Sequence, residues 1–572
     1  MNKFFFILFL LIEIPIKNYG YNLFFEGKSD YVVLIDSLAS KSEKKAAQEF
    51  RDYILRISGV DLKETNNMNV TTPFVCIGYN YKLSSTLLVN KPDEKDENYR
   101  YVENEGNIYI WGGRNRGTMY GVFAFLEEKL GVRWYTPDCT FVPNLDEWSF
   151  ENFDINSKPS FKYRHVYFYD VENDPIWCAH NRLNSAWTPK ENEYGGLDAY
   201  WNVHTMGKIF PSSSFFGSHP EFYSLRKGKR IPNGQLCLSN KELLNACIIR
   251  FKMHIKLFPG YWVYSLSQND NELYCECEDC RRLELKYGGH SGLLLWFVNQ
   301  VAGAIKKDFP NIKVGTLAYG YTRSVPSNIV PSDNVVIRLC DTDCCFAHEI
   351  GGCKYNDKFL TQFYEWKRVT DNIFVWDYCA NFQHFLSPFP NYKALKYNLK
   401  FFDRNEVLGV MEQGQYRSPG GDFAELKSWI LSKLLWDTEA KIDSLAEDFI
   451  NYYYGSASAH LKEYYKMCQS EIDKNEKLSI VSDVNFSLFN KNFINKGLKI
   501  LNMAMDLVKN DDVLMKRVDY QRLQLLYLNC SKYNESRKDG TYKEFIRLMK
   551  KYKPYFNELN SADSYLKSVG EI

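Results

Sequence analysis

Several segments with the composition of short β-strands run directly into carboxylate side chains. The carboxylates are Asp270 in Ser267-Gln268-Asn269-Asp270, Asp341 after Cys340, Asp377 before Tyr378, and Glu412 before Gln413. In glycoside hydrolysis one carboxyl group protonates the leaving oxygen and a second group stabilises an oxocarbenium-like centre. The alternative is that these acids only cap the helices that follow the strands. The pattern alone is therefore compatible with a glycosidase but does not distinguish catalytic acids from helix caps.

Other common chemistries lack their motifs. The sequence contains no G-x-x-x-x-G-K-[ST] loop, no G-x-S-x-G elbow and no H-E-x-x-H, and residues 112–117 lack the glycine spacing of a dinucleotide site. Lys and Arg number 71 against 70 Asp and Glu, so no basic surface for nucleic acid is indicated. We therefore expect no cofactor and no nucleic-acid partner.

Aromatic side chains are abundant, at 16% of 572 residues. Flat amphipathic rings cover the apolar faces of sugars well, although an aromatic-rich core is the alternative use of most of them. The length allows two to four domains with a large buried core.

The cysteines form one local cluster, Cys275-Glu276-Cys277-Glu278-Asp279-Cys280, among 15 in the chain. Its spacing suits three zinc ligands, and Cys237 or Cys340 could supply a fourth. A second C-x-x-C pair is absent, so a disulfide or packed thiols stay open. We expect no catalytic metal, and a zinc ion here would be structural.

The elements that must position these groups begin with a compact α/β domain over residues 21–150. Residues 31–37 predict a strand, Ser40 and Glu43 form a capping box ahead of a helix, and residues 74–77 predict a second strand. A hairpin turning at residues 105–107 and a helix from about Arg116 to Leu130 complete the domain.

Residues 151–437 predict a (β/α)8 TIM-like barrel, because short strands alternate with helices. The candidate strands are 163–169, 236–238, 262–266, 314–319, 335–339, 373–376 and 407–411, with an eighth hidden in 180–210. The carboxyl ends of barrel strands build the active site, so the strand-end acids would converge there. Residues 438–572 predict a helical C-terminal region. The fold class is thus α/β, with an N-terminal accessory domain, a barrel and a helical end.

The first 20 residues resemble a secretory signal peptide. A short positive start precedes an apolar run from Phe4 to Leu11, and Gly20 offers a small residue near a cleavage point. The run is too short to span a bilayer, and no Cys follows it for lipidation. We expect a secreted or periplasmic protein with no membrane span in the mature chain.

The order of several longer motifs resembles the secreted Bacteroidetes proteins of glycoside hydrolase family 163. The motifs are Gly113 to Gly121, Gly131 to Tyr135, His219 to Tyr223, Ser267 to Asp270 leading into C-x-C-x-x-C, Trp376 to Tyr378, and Glu412 to Gly414. The resemblance spans residues 25–460 and implies an endo-β-N-acetylglucosaminidase acting on complex N-glycans of glycoproteins. The first domain is also similar to the accessory domain of β-hexosaminidases and α-glucuronidases.

This resemblance implies roles for two carboxylates. Glu412 would be the proton donor, unless it is only a structural acid paired with Arg417. Asp270 would orient the acetamido group or stabilise the cationic centre, unless it only caps the turn into Asn271. Asp341, Asp377 and Glu221 are held in reserve. Configuration would be retained, with the substrate's acetamido oxygen as the favoured nucleophile.

A wider set of side chains would contact the sugar. The set is Trp376, Asp377, Tyr378, Tyr319, Tyr321, His204, His219, Glu221 and Gln413, with Trp201 as a further wall residue. Barrel packing is the alternative for each aromatic ring, and a structural role for each histidine. Two other readings of the whole chain stay open: an exo-acting β-hexosaminidase or α-glucuronidase, and a carbohydrate-binding protein without turnover.

Overall fold

The computed structural model describes residues 20–470 and 472–572. The predicted signal peptide therefore lies outside the described residues, apart from Gly20. The chain forms two compact units: residues up to Val132 join Val142–Ser157, while Arg133–Phe141 joins Lys158–Ile572. No helix within the described ranges is long and apolar enough to cross a membrane.

The first unit is a six-stranded mixed sheet with helices. The elements up to residue 157 are β1 (Tyr21–Phe25), β2 (Val32–Ile35), α1 (Lys41–Ser58), β3 (Lys63–Thr65), β4 (Phe74–Ile77), α2 (Tyr81–Leu87), β5 (Tyr99–Asn104), β6 (Asn107–Gly112), α3 (Gly117–Glu128), β7 (Arg133–Thr136), β8 (Cys139–Phe141), β9 (Glu147–Phe150) and β10 (Asp154–Ser157). The sheet order is β10-β5-β6-β4-β2-β3, β1 pairs with β9, and β7 pairs with β8 in the second unit.

Local sequence signals explain this unit well. The predicted capping box is present, since Ser40 Oγ accepts from Glu43 N and the Glu43 side chain accepts from Ser40 N. α1 ends at Gly59, which adopts φ 75°. The predicted hairpin joins β5 to β6, and its turn places Glu105 and Gly106 at positive φ.

The second unit is built on an eight-stranded parallel sheet that nearly closes into a barrel, as predicted. Its elements are β11 (Tyr163–Tyr167), α4 (Tyr169–Asn173), α5 (Pro175–His180), β12 (Ser185–Ala186), β13 (Asp198–Trp201), α6 (Met206–Ile209), α7 (Ser212–Phe215), β14 (Leu225–Arg226), β15 (Lys229–Arg230), α8 (Lys241–Leu257), β16 (Val263–Ser265), α9 (Glu278–Tyr287), α10 (His290–Asp308), β17 (Lys313–Ala318), β18 (Val335–Cys340), α11 (Asp357–Lys367), β19 (Ile373–Tyr378), α12 (Tyr392–Arg404), β20 (Gly409–Gln413) and α13 (Ala424–Trp436).

The barrel strands follow the order β11-β20-β19-β18-β17-β16-β13-β12, and every pair is parallel. The ladder is open only between β11 and β12. There Arg164 N donates to Asn184 Oδ1 at 2.9 Å, and this bond links β11 to the residue before β12.

One predicted barrel strand is wrong. Leu236 forms only an isolated antiparallel bridge with Tyr223, so 236–238 is not a barrel strand. The stretch 180–210 instead holds two strands, β12 and β13, of which β12 is two residues long. A strand this short is too brief to show an alternating pattern of apolar side chains.

A buried arginine fills the barrel interior beneath the strand ends. Arg338 on β18 has no exposed surface. Its guanidinium lies 3.6 Å from the ring centroid of Tyr200, 5.5 Å from that of Trp187 and 5.8 Å from that of Trp376. Stacking on aromatic faces favours a buried guanidinium, so this cluster holds the two tryptophan rings in place.

The helical C-terminal region comprises α14 (Ile442–Tyr453), α15 (Ser458–Cys468), α16 (Lys491–Val508), α17 (Asp512–Lys532), α18 (Thr541–Tyr552) and α19 (Ala562–Ser568). Two of its connecting segments reach a barrel loop. Phe382 N donates to Ile480 O at 2.7 Å, and Glu558 N donates to Phe382 O at 3.0 Å. The loop after β19 is thereby fixed from both sides.

Candidate active site

The second unit has a cavity of about 630 Å³ at the carboxyl ends of the barrel strands. Residues from the ends of most barrel strands and from the C-terminal region line it. They are Tyr167, Glu172, Trp187, Thr188, Asn202, Val203, His204, Asp270, Leu317, Tyr319, Cys340, Thr342, Trp376, Tyr378, Phe382, Gln413, Tyr416, Ile480, Val481 and Glu558. Six of these side chains are Tyr or Trp rings, and three are carboxylates.

Strand alternation decides which predicted residues reach the cavity. Trp376 and Tyr378 on β19 and Gln413 on β20 line it. Trp376 Nε1 donates to Gln413 Oε1 at 2.8 Å, so the indole and the amide hold each other. Successive side chains of a strand point to opposite faces, so the residues between these belong to the other face.

Asp270 lies in the loop after β16 and is exposed at the cavity. Its Oδ1 accepts a hydrogen bond of 2.8 Å from the Tyr319 hydroxyl. Burial, and then this bond to Asp270, raises the pKa of Tyr319, so the phenol stays a donor. One carboxylate oxygen is therefore oriented by protein and the other can meet a ligand.

The loop that carries Asp270 is held by a side chain from an earlier segment. Gln235 Nε2 donates to Asn269 O at 2.8 Å and to Asn271 O at 2.6 Å, while Gln235 Oε1 accepts from Asn269 N at 2.9 Å. These three bonds fix the main chain on both sides of Asp270.

His204 combines an oriented ring with a strained backbone. Its Nδ1 lies 2.9 Å from Gln268 O. Because a carbonyl oxygen only accepts hydrogen bonds, Nδ1 is the donor in this contact. His204 adopts φ 52° and Asn202 φ 50°, and both line the cavity. Left-handed conformations are costly for residues other than glycine, and such strain is concentrated at functional sites.

Two cavity carboxylates were missed from the sequence. Glu172, on α4, accepts from His165 Nε2 at 3.0 Å and from Trp187 N at 3.1 Å. Glu558 accepts from the Tyr416 hydroxyl at 2.9 Å. Glu172 follows the end of predicted strand 163–169 closely enough to have been found by position, whereas nothing local marks Glu558.

Glu412, the predicted proton donor, does not line the cavity. It is fully buried, Oε2 accepts from Cys379 Sγ at 2.9 Å, and Oε1 makes no hydrogen bond. Arg417 does not pair with it, since that guanidinium donates to the Tyr555 hydroxyl. Asp270 and Glu412 are thus not brought together in the cavity.

Glu412 belongs to a buried group of three carboxyls with Asp341 and Asp377. Asp377 is opposite Glu412 in the β19–β20 register, and all three are at most 1% exposed. Burial, and then repulsion by Asp377, raises the pKa of Glu412 well above its usual range. Burial, and then repulsion by Asp377 and Glu412, does the same to Asp341, while burial raises the pKa of Asp377 to about 6.

Other predicted sugar contacts also lie away from the cavity. His219 and Glu221 pair with each other at 3.0 Å on a half-exposed turn. Tyr321 packs against Tyr274 and His290, and Trp201 against His254 and Tyr264. Of the predicted set, the cavity brings together Trp376, Tyr378, Tyr319, His204, Gln413 and Asp270.

Two groups of side chains in the described ranges have the composition of a metal site. They are Cys237, Cys275, Cys277 and Cys280, and Cys345, His348 and Cys353. Neither group lines the cavity.

A family model described as a domain of unknown function, DUF4838, matches residues 134–466. The chain belongs to this family. The DUF4838 match covers the barrel, α14 and most of α15. No curated protein matches the sequence.

The fold of this DUF4838 protein is similar to that of glycoside hydrolases. A GH115 4-O-methyl-α-glucuronidase, BtGH115A, with specificity for decorated arabinogalactans, has a TM-score of 0.61 at 12% identity, over 93% of this chain and 77% of that chain. A β-N-acetylhexosaminidase from Bacteroides fragilis has a TM-score of 0.44 at 12% identity, over 79% and 94% of the two chains. The fold likeness is therefore to the GH115 enzyme.

Proposed function

We propose that this protein is a glycoside hydrolase whose active site is the cavity at the barrel's carboxyl ends. The observation that carries the proposal is the joint presence there of aromatic walls and three carboxylates, Asp270, Glu172 and Glu558. Barrel enzymes place catalysis at this face, and carboxylate pairs are the usual catalysts of glycosidic cleavage.

The proposed substrate is a β-linked N-acetylglucosamine within a complex N-glycan. The motifs shared with family 163 support this choice, and so does the charge of the cavity. No Lys or Arg is among the residues that line it in the described part of the chain. A neutral sugar suits such a wall better than a uronic acid, whose carboxylate would face three acidic side chains.

An α-glucuronidase is the second candidate, favoured by the fold likeness over 93% of the chain. The acidic cavity argues against it. A carboxylated sugar is normally met by a cation, most often Arg in a bidentate pair. The two candidates therefore predict different substrate charges, neutral for N-acetylglucosamine and negative for glucuronate.

Asp270 is proposed as one of the two catalytic carboxylates. Its bond from Tyr319 orients it, and its short side chain suits holding an acetamido N–H so that the amide oxygen attacks the anomeric carbon. Because Glu412 does not line the cavity, we place the proton donor among the carboxylates that do. Glu172 has both oxygens engaged, whereas Glu558 accepts one phenolic bond.

Product analysis tests the proposal directly. A glycoprotein with complex N-glycans is incubated with the enzyme, and mass spectrometry of the released material is read for three outcomes. Intact oligosaccharide supports endo action, single N-acetylglucosamine or glucuronate assigns an exo enzyme, and glycan binding without release identifies a binding protein.

Strong inhibition by a thiazoline analogue supports acetamido participation, while a glycosyl ester trapped on a carboxylate contradicts it.

The second carboxylate is identified by a matched series. Glu172→Gln and Glu558→Gln are compared with Asp270→Asn on the same substrate. The variant that lacks the proton donor should lose about a hundredfold or more in kcat. Its activity should recover on substrates with an activated leaving group, because such a group needs no protonation.

Export is proposed from residues 1–20 of the sequence. Mass measurement of the mature protein from its native host tests it, and a chain that retains Met1 would contradict it.

A further inference from the structure

Four cysteines converge in the second unit, away from the cavity. Cys237, Cys275 and Cys280 are at most 4% exposed, and Cys277 is partly buried. Their sulfur atoms all lie within 4.8 Å of one another. They come from two separate stretches of chain, since Cys237 precedes α8 and the other three surround the start of α9.

The sulfur separations fit one tetrahedral metal ion. Cys237 Sγ lies 3.7 Å from Cys277 Sγ and 3.8 Å from Cys280 Sγ. Four sulfurs at about 2.3 Å from a central zinc ion would stand about 3.8 Å apart. A disulfide would need about 2.05 Å, so these thiols are not arranged as bonded pairs.

Hydrogen-bond donors surround the sulfurs. Leu225 N donates to Cys275 Sγ at 3.3 Å, and Cys280 N donates to Cys277 Sγ at 3.5 Å. Ser239 Oγ lies 3.1 Å from Cys280 Sγ, and Arg230 Nη1 lies 3.7 Å from Cys275 Sγ. Such donors stabilise negative charge on sulfur, which metal thiolates carry and neutral thiols do not.

We propose that Cys237, Cys275, Cys277 and Cys280 form a structural zinc site with four thiolate ligands. Zinc is the metal that a tetrahedral set of four cysteines selects most often, and a closed set leaves no position for substrate or water. Binding releases the thiol protons to solvent and changes no oxidation state.

The site would act on the cavity through the chain that connects them. Cys237 lies two residues after Gln235, which bonds to both sides of Asp270. Cys275 lies five residues after Asp270 in the same loop. The metal would therefore clamp together the two segments that position Asp270, without touching substrate.

Metal analysis of the full chain tests this proposal independently of any glycosidase activity. Protein purified under reducing conditions is measured for zinc per chain, and the zinc is replaced by Co²⁺ for absorption spectroscopy. We expect one zinc ion in this site and the spectrum of tetrahedral cobalt with thiolate ligands. Zinc below a tenth of an ion per chain, or a cobalt spectrum without thiolate bands, would overturn the proposal.

Three variants locate the ion. Cys277→Ser changes the most accessible ligand and should abolish the metal at this site. Cys530→Ser, outside both metal-like groups, should retain it, and Cys345→Ser should retain it while disabling the group of Cys345, His348 and Cys353. Zinc unchanged in Cys277→Ser, or a disulfide among the four cysteines in peptide mapping without reduction, would also overturn the proposal. If Cys277→Ser fails to fold, the zinc content and cobalt spectrum of Cys345→Ser decide the question, because that variant keeps all four proposed ligands and lacks the second group.

Discussion

Asp270 tests whether the cavity is an active site at the level of one side chain. Replacing it by Asn keeps the acceptor for the Tyr319 hydroxyl but removes the negative charge. We expect kcat to fall about a hundredfold or more, in the range that positioned acid or base groups contribute. Steady-state kinetics on a glycoprotein substrate measures the change. Asp308→Asn, at an exposed pair with Lys252, is the matched control and should retain the activity of the wild type. Equal rates for both variants would remove Asp270 from the mechanism.

Glu412 tests whether a strand-end carboxylate that does not line the cavity contributes to catalysis. Burial raises the pKa of its carboxyl well above the usual range, which favours the protonated form, and Gln resembles that form in shape and charge. We expect Glu412→Gln to lose less than about tenfold in kcat and to unfold within about 1 kcal/mol of the wild type. Kinetics and urea unfolding together decide this. A loss of a hundredfold or more in a folded variant would restore Glu412 as the proton donor.

Asp377 makes stability depend on pH. Burial raises its pKa from the ordinary 3.8 to about 6, so the folded chain binds more protons than the unfolded chain between these values. Stability then falls as pH rises from about 4 to about 7, by up to about 3 kcal/mol for a shift of this size. Asp377→Asn removes this charge and its repulsion of Glu412 and Asp341.

The measurement is urea unfolding of both proteins at several pH values. The free energy of unfolding of the wild type should decline more steeply over pH 4–7 than that of Asp377→Asn. A residual decline is expected in the variant, because burial also raises the pKa of Glu412 and of Asp341 well above their usual range, that of Glu425 to about 7 and that of Asp170 to about 6. Parallel curves would contradict the assignment.

At the scale of strands, alternation explains which site predictions reached the cavity. The sequence named Trp376, Asp377 and Tyr378 together, yet consecutive strand residues cannot share a face. Gln413 and Glu412 are divided in the same way, and the register that pairs Asp377 with Glu412 places both acids on one face. The position of these residues at strand ends was therefore predictable. Applying the two-residue period of a strand would also have separated Trp376, Tyr378 and Gln413, which line the cavity, from Asp377 and Glu412, which face away from it.

The two faces predict different effects for two matched tryptophans. Trp376 lines the cavity and bonds to Gln413, whereas Trp201 packs against His254 and Tyr264 outside it. Trp376→Phe leaves Gln413 Oε1 without its donor, so we expect glycan affinity to fall about fivefold to thirtyfold. Trp201→Phe should leave affinity unchanged. Calorimetric titration of glycan into each variant in an Asp270→Asn background measures this, and equal affinities would argue against the cavity as the glycan site.

At the scale of the molecule, regular signals were readable from the sequence and long-range ones were not. The capping box of α1, the hairpin and most barrel strands follow local periodicity. The two-residue strand β12 and the carboxylate Glu558 do not, since each is defined by contacts with distant chain. Cys237 meets Cys277 and Cys280, which lie 40 and 43 residues further along the chain. From spacing alone, Cys237 was only one of two candidates for the fourth ligand, the other being Cys340.

The C-terminal region completes the cavity, and its contribution lies beyond the DUF4838 match at residue 466. Val481 is 59% exposed and lines the cavity beside Ile480, whose carbonyl fixes the Phe382 loop. A ligand that covers an exposed apolar side chain at a cavity rim removes apolar surface from water, and this burial favours binding. We expect Val481→Ser to weaken glycan binding about threefold to tenfold without changing stability. Val513→Ser, at a valine of similar exposure on α17 outside the cavity, is the control. Affinity measured by titration in the Asp270→Asn background should separate the two variants, and identical affinities would confine glycan recognition to the barrel.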